Sequence, residues 1–156
     1  FHVKSNKPNI ILLRTFSKSY GLASLRIGYG IANSDLVGYL NKVRQPFNVN
    51  QLAQVAACAA LDDKRFLWRT KRLIQREKVY LYRKFDQMGV RYVPTQTNFM
   101  LLEVGEDAAH VFDALLKQGV IVRGMKAYGL PTYLRVTIGK HSENRMFVRS
   151  LKRALK

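Results

Sequence analysis

An α/β fold is what this sequence predicts, and three observations carry the expectation. Short apolar runs have the length of buried strands, amphipathic stretches repeat with helical spacing, and the two alternate through the second half of the chain. In that half the order suits α+β as well. Residues Asn9 to Phe16 (NIILLRTF) read as the first strand, and Arg26 to Ala32 (RIGYGIA), with β-branched and aromatic content, as the second. The polar turn SKSYGLASL lies between them.

Asn33 to Asp35 then start a helix whose apolar stripe is Leu36, Val37, Leu40 and Val43, and Pro46 ends it. A second helix covers Gln51 to Leu61. Asp62 and Asp63 can cap a third, with Leu67, Ile74, Leu81 and Met88 recurring every seven residues and Gly89 as its terminator. At about 25 residues it would be roughly 40 Å long, a strut between two subdomains. Strands follow at Arg91 to Val93 and Asn98 to Glu103, and a helix at Asp107 to Gln118 is closed by Gly119. Val120 to Val122 and Tyr133 to Ile138 read as further strands. Ser142 caps a last helix carrying Phe147, Leu151 and Leu155, with Lys152, Arg153 and Lys156 at the negative pole of its dipole.

A hydrophobic content of 47% in 156 residues is ample for a buried core. No apolar run approaches the roughly 18 residues of a membrane span, and the N-terminus lacks the order of a signal peptide, so a cytoplasmic location is expected. Phe1 stands where a methionine would, which reads as an excised or proteolysed fragment. The single cysteine, Cys58, sits in the small apolar run AACAA and reads as a buried inert thiol; no disulfide framework is possible. The net charge of +17 resembles the footprint of a nucleic-acid binder. The basic residues are nevertheless scattered through every segment, and nine of them between Lys64 and Lys84 fall on one long helix, as a solvated face would have them. Nucleic acid is therefore not the expected partner.

Chemistry concentrates between Thr15 and Gly30, TFSKSYGLASLRIGYG. A neutral lysine amine can condense with an aldehyde, here Lys18. Thr15 and Ser17 offer hydroxyl donors to a phosphate, and Arg26 offers a charge-assisted fork to the same group. Without more pattern, the same residues would read as a solvated surface loop. His2, His110 and His141 are too dispersed for a metal site, so no metal is expected. No Ser/His/Asp nucleophile pattern and no G-x-G-x-x-G after a strand is present.

The full pattern S-K-x-Y-G-L-A-x-L-R-x-G-Y resembles the cofactor-lysine motif of fold-type I aminotransferases, which depend on pyridoxal 5'-phosphate. The segments LNKVRQPFNVN, QTNFMLLEV, GVIVRGM and YLRVTIGK fall in that family's order, so the resemblance covers nearly the whole chain. It implies that Lys18 carries the cofactor, that Arg26 binds its phosphate with Thr15 and Ser17 beside it, and that glycines 21, 28 and 30 permit close backbone approach. It implies that Arg135 binds the substrate carboxylate, for which a planar bidentate guanidinium is suited. In the histidinol-phosphate branch the donor has no carboxylate, and Arg135 would grip its phosphate instead, with Arg123 contributing. The bland readings are a strand-edge charge for Arg135 and a solvated arginine for Arg123. Asn98 either lines the site or caps a turn.

The same resemblance makes residues 1–62 the C-terminal remnant of a large cofactor-binding domain and residues 63–156 a small α/β domain with the long connecting helix. It implies a homodimer, a small-molecule amino donor and 2-oxoglutarate as acceptor. The family's aspartate at the pyridine nitrogen, its tyrosine and asparagine near the ring hydroxyl and its backbone phosphate cradle lie upstream of Phe1 in relatives. Little or no transamination is therefore expected of these 156 residues alone, and self-association through exposed apolar surface is expected. The rival readings are another enzyme of this fold (an aromatic aminotransferase or a threonine-phosphate decarboxylase), a basic nucleic-acid module, and a noncatalytic folding fragment.

Overall fold

The computed structural model describes residues 9–105 and 107–155. Phe1, His2 and Lys156, named above, lie outside them. The chain divides into two compact units, with the division between Thr70 and Lys71.

The first unit opens with an antiparallel pair, β1 (Leu12–Thr15) and β2 (Gly28–Ile31), in the register Leu12 to Ile31 through Thr15 to Gly28. Helices α1 (Ser34–Val43) and α2 (Gln51–Asp62) follow. The helix starts are where the asparagines direct them. Asn33 Oδ1 accepts from Leu36 N at 2.8 Å and Asn50 Oδ1 from Ala53 N at 2.8 Å, each satisfying an N-terminal amide that lacks a helical partner. Phe16, Ile27, Ala53 and Ala57 form a small core, with Tyr20, Leu22 and Leu25 packed against it. Ala53 and Ala57 are four apart and share the buried face of α2. Cys58 lies off that face and is exposed, so its reading as a buried thiol is corrected.

Helix α3 (Lys64–Met88) crosses the division and supplies both units. Asp63 Oδ1 caps it, accepting from Phe66 N at 2.8 Å, and Gly89 ends it at φ +67°. The second unit contains a four-stranded antiparallel sheet in the order β3 (Arg91–Val93), β4 (Phe99–Glu103), β6 (Tyr133–Thr137), β5 (Arg123–Gly124). Alternation decides its faces: Met100, Leu102, Leu134 and Val136 are buried, whereas Phe99, Leu101, Glu103, Tyr133 and Arg135 point the other way. The buried face packs on α3, α4 (Ala108–Lys117) and α5 (His141–Ala154) through Leu81, Phe85, Leu115 and Leu151, among others. Burying each such side chain contributes about 1.5–3 kcal/mol.

Two sequence expectations shift here. Val120 to Val122 is not a strand; pairing begins at Arg123. The left-handed turn at Gly119 (φ +76°) brings Val120 N back to Leu115 O at 3.0 Å, so the residues after α4 satisfy its last carbonyls before a ladder can form. The last helix starts one residue before Ser142, with Lys140 at its N-cap. Glu143 is the reason, since its Oε2 accepts from Lys140 N at 2.6 Å and anchors the first turn there. None of the helices among the described residues is long and apolar enough to cross a membrane.

Candidate active site

The residues singled out from the sequence gather into two constellations, one in each unit. In the first unit the β1·β2 ladder runs one rung past its last strand residues, because Phe16 N donates to Ile27 O at 3.2 Å. Both Phe16 and Ile27 are buried, so they pin the base of a ten-residue loop, 17–26. Leu22 N returns to Phe16 O at 3.0 Å and Gly21 N to Lys18 O at 3.0 Å, which folds the loop tightly around its own backbone. Ser17, Lys18 and Arg26 are thus on one closed loop, with Thr15 at its foot, opposite Gly28.

Each side chain has chemistry to spare. Thr15 Oγ1 accepts from Ser17 N at 3.0 Å, which leaves its hydroxyl hydrogen to donate elsewhere. The Lys18 side chain is exposed and makes no hydrogen bond or ion pair among the described residues. Arg26 adopts φ 53° and ψ 48°, a left-handed conformation that costs a non-glycine residue roughly 1–2 kcal/mol. Its NH1 donates to Ala23 O at 2.7 Å, leaving most of the guanidinium fork open. Backbone strain of this kind clusters at functional sites, and among the described residues Phe47 shares it at φ 54°.

In the second unit Arg135 and Arg123 are direct partners across β6 and β5, so both side chains stand on the open face of the sheet. Opposed like charges weaken a sheet, and neither arginine has a salt bridge among the described residues. Aromatic rings support them instead: the Arg135 guanidinium lies 5.1 Å from the centre of the Phe99 ring, and that of Arg123 lies 5.2 Å from Tyr128. Two unneutralised guanidiniums side by side on aromatic platforms suit a dianion. Strand β6 is an inner strand, so Arg135 is no edge charge. Asn98 precedes β4, and its carbonyl accepts from Ile138 N at 2.9 Å; its side chain makes no hydrogen bond among the described residues.

Several residues here escaped the sequence reading. Phe99 and Tyr128 have no signal beyond being aromatic. Glu77 does: it is fully buried, three residues after Ile74 and four before Leu81, on the stripe that otherwise carries the core. His141 Nδ1 lies 3.0 Å from Glu77 Oε2, and Asn144 Nδ2 donates to the same oxygen at 3.1 Å. Burial alone would raise the Glu77 carboxyl, but hydrogen bonds from Asn144, His141 and Arg76, with the charge of His141, outweigh it and hold it below its ordinary 4.5. No group of three His, Cys, Asp or Glu side chains among the described residues is placed to hold a metal.

Residues 3–151 match the family Aminotransferase class I and II. The chain belongs to that family. Among the chain's relatives, the histidinol-phosphate aminotransferase of Moorella thermoacetica is 47% identical over 154 residues, covering 99% of this chain and 40% of that protein. Histidinol-phosphate aminotransferase 2 of Ralstonia nicotianae is 52% identical over 151 residues, 95% of this chain and 40% of its own length. Of solved structures, the histidinol-phosphate aminotransferase from Sinorhizobium meliloti in complex with pyridoxal-5'-phosphate superposes with a TM-score of 0.86 at 29% identity, over 96% of this chain and 42% of that one. The L-threonine-O-3-phosphate decarboxylase from Porphyromonas gingivalis gives 0.82 at 28% identity, over 97% and 48%. The chain therefore has part of the fold of fold-type I pyridoxal-phosphate enzymes, and it spans about 40% of the length of the curated relatives it matches.

Proposed function

We propose that the protein to which this chain belongs transfers the amino group of L-histidinol phosphate to 2-oxoglutarate, giving imidazole acetol phosphate and L-glutamate, a step of histidine biosynthesis. The observation that supports this reading is the closed loop that carries an amine, a hydroxyl and a guanidinium, with a second hydroxyl at its foot and the arginine in a strained backbone conformation. That donor set fits pyridoxal 5'-phosphate: Lys18 Nζ would hold its aldehyde carbon, and Arg26, Thr15 and Ser17 its phosphate. When bound, the cofactor supplies the electron sink that makes the substrate α-carbon acidic.

The chain's own residues would do the rest. Lys18 Nζ would take the proton from the substrate α-carbon as general base and give it back as general acid. Arg135 and Arg123 bind the phosphate of the donor and, in the second half-reaction, a carboxylate of 2-oxoglutarate; both are planar or tetrahedral oxyanions that a pair of forks can hold. Asn98 lines the same end of the sheet. Relatives with this name at about 50% identity support the choice of donor. In this reading the complete protein works as a cytoplasmic homodimer.

A second reading has one specific support, the threonine-phosphate decarboxylase fold match, because a phosphorylated substrate would suit the same two arginines. The two differ in product. With the complete protein, amino transfer from histidinol phosphate to 2-oxoglutarate yields glutamate, whereas decarboxylation releases carbon dioxide and needs no acceptor. The lysine assignment has its own check: a visible absorbance band that borohydride bleaches and that Lys18→Ala abolishes. A band that survives Lys18→Ala would refute it.

A further inference from the structure

The second unit buries two charged residues where the helical stripe calls for apolar ones. Glu77 and Lys78 are consecutive on α3, at 0% and 7% exposure. Each leads to a backbone clamp. The Asn144 side chain, bonded to Glu77 Oε2, holds both polar backbone groups of Gly139: Nδ2 donates to Gly139 O at 2.9 Å, and Oδ1 accepts from Gly139 N at 3.0 Å. Lys78 Nζ donates to Thr95 O at 3.0 Å, while the Tyr82 hydroxyl accepts from Thr95 N at 2.8 Å. Helix α3 thereby grips one residue in the connection between β3 and β4 and, through Asn144, one just after β6. The two gripped residues flank the same end of the β4·β6 pair, where Ile138 N donates to Asn98 O.

Packing alone does not call for charge here. Buried ions lose hydration that apolar residues of similar volume do not, so a simple helix-to-sheet contact would be served as well by leucine and methionine. What the polar pairs add is direction, since each hydrogen bond specifies one backbone position. We propose that Glu77 and Lys78 are positioning residues: by clamping Gly139 and Thr95 onto α3 they set the strand ends that hold Arg135 over Phe99 and Asn98 beside β6. This rests on the reading that Arg135 receives the anionic group of the substrate. A guanidinium displaced by about an ångström loses the paired geometry that oxyanion recognition needs.

The test follows the Arg135 side-chain resonances by NMR in the complete protein, because those protons lie in the ring current of Phe99. Arg135→Lys provides the assignment. Glu77→Gln and Lys78→Met are each expected to remove most of the ring-current shift and to weaken 2-oxoglutarate binding, read from the same signals, roughly tenfold. Val111→Ala, which opens the core on α4 outside both clamps, is expected to lower the unfolding midpoint and leave Arg135 where it is. Arg135 keeping its wild-type shift in both variants, or moving as far in Val111→Ala, overturns the clamp. If 2-oxoglutarate perturbs no Arg135 signal in the wild type, the substrate reading of that residue fails, and the ring-current comparison still decides the clamp. Should Glu77→Gln not fold, the Arg135 shift in Lys78→Met decides it alone.

Discussion

Arg26 combines a side chain suited to a phosphate with a backbone conformation that suits glycine. The two demands can be separated by substitution. Arg26→Gly removes both the fork and the left-handed strain, whereas Arg26→Ala removes the fork and keeps the strain. Arg26→Gly is therefore expected to be about 1 kcal/mol more stable than Arg26→Ala by thermal unfolding, with cofactor phosphate affinity lost in both. Equal stability of the two variants would show that the loop relaxes around the position. Lys18 and Arg26 could be singled out in the sequence by side-chain type, and Arg123 and Arg135 only through the resemblance of their segments to a family. Phe99, Tyr128 and Asn144 were legible by neither route, because their contribution is the place they occupy under or beside another residue.

At the scale of elements, the β1·β2 pair carries the candidate cofactor loop, and Gly28 limits how it can be built. A Cβ there would lie 2.6 Å from Arg14 O, a backbone atom that cannot step aside without parting the strands. Gly28→Ala is expected to cost about 1–3 kcal/mol in denaturant unfolding of the first unit. Gly38 is the internal control: it lies within α1 with nothing within 4 Å of an added Cβ, and Gly38→Ala is expected to stabilise by about 0.5–1 kcal/mol. A Gly28→Ala variant as stable as Gly38→Ala would mean that the ladder yields at no cost. Most elements could be read before any coordinates, since Asn33, Asn50, Asp63 and Asp107 cap helices locally and Gly89 and Gly119 end them. The error at Val120 to Val122 came from reading β-branched content where the helix C-cap takes precedence.

For the second unit as a whole, Glu77 makes stability depend on acidity in a definite direction. Its carboxyl is held below 4.5 in the folded state, so the unfolded chain takes up the proton first as pH falls. The stabilisation is fully present above 4.5 and is lost as pH drops through the lowered folded value. Urea unfolding of the second unit is expected to show this acid limb in the wild type and to show it flattened in Glu77→Gln, which also loses about 1–3 kcal/mol at neutral pH. An unchanged limb in the variant would assign the acid sensitivity to other carboxylates. The charge of +17 has a parallel explanation at this scale: the long helix α3 keeps Lys71, Arg72, Arg76 and Arg83 on its exposed faces while its buried face carries Leu81 and Phe85.

By itself the sequence determined the element order, the helix caps and the motif from Ser17 to Tyr29, because propensity, capping and reactive side-chain type act within a few residues of each other. Only the tertiary structure decided that Arg123 faces Arg135, that Phe99 lies beneath it, and that Glu77 reaches Asn144 across 67 residues of chain. Strand register and the burial of a carboxylate depend on which distant segments pack together, and no local spacing specifies that.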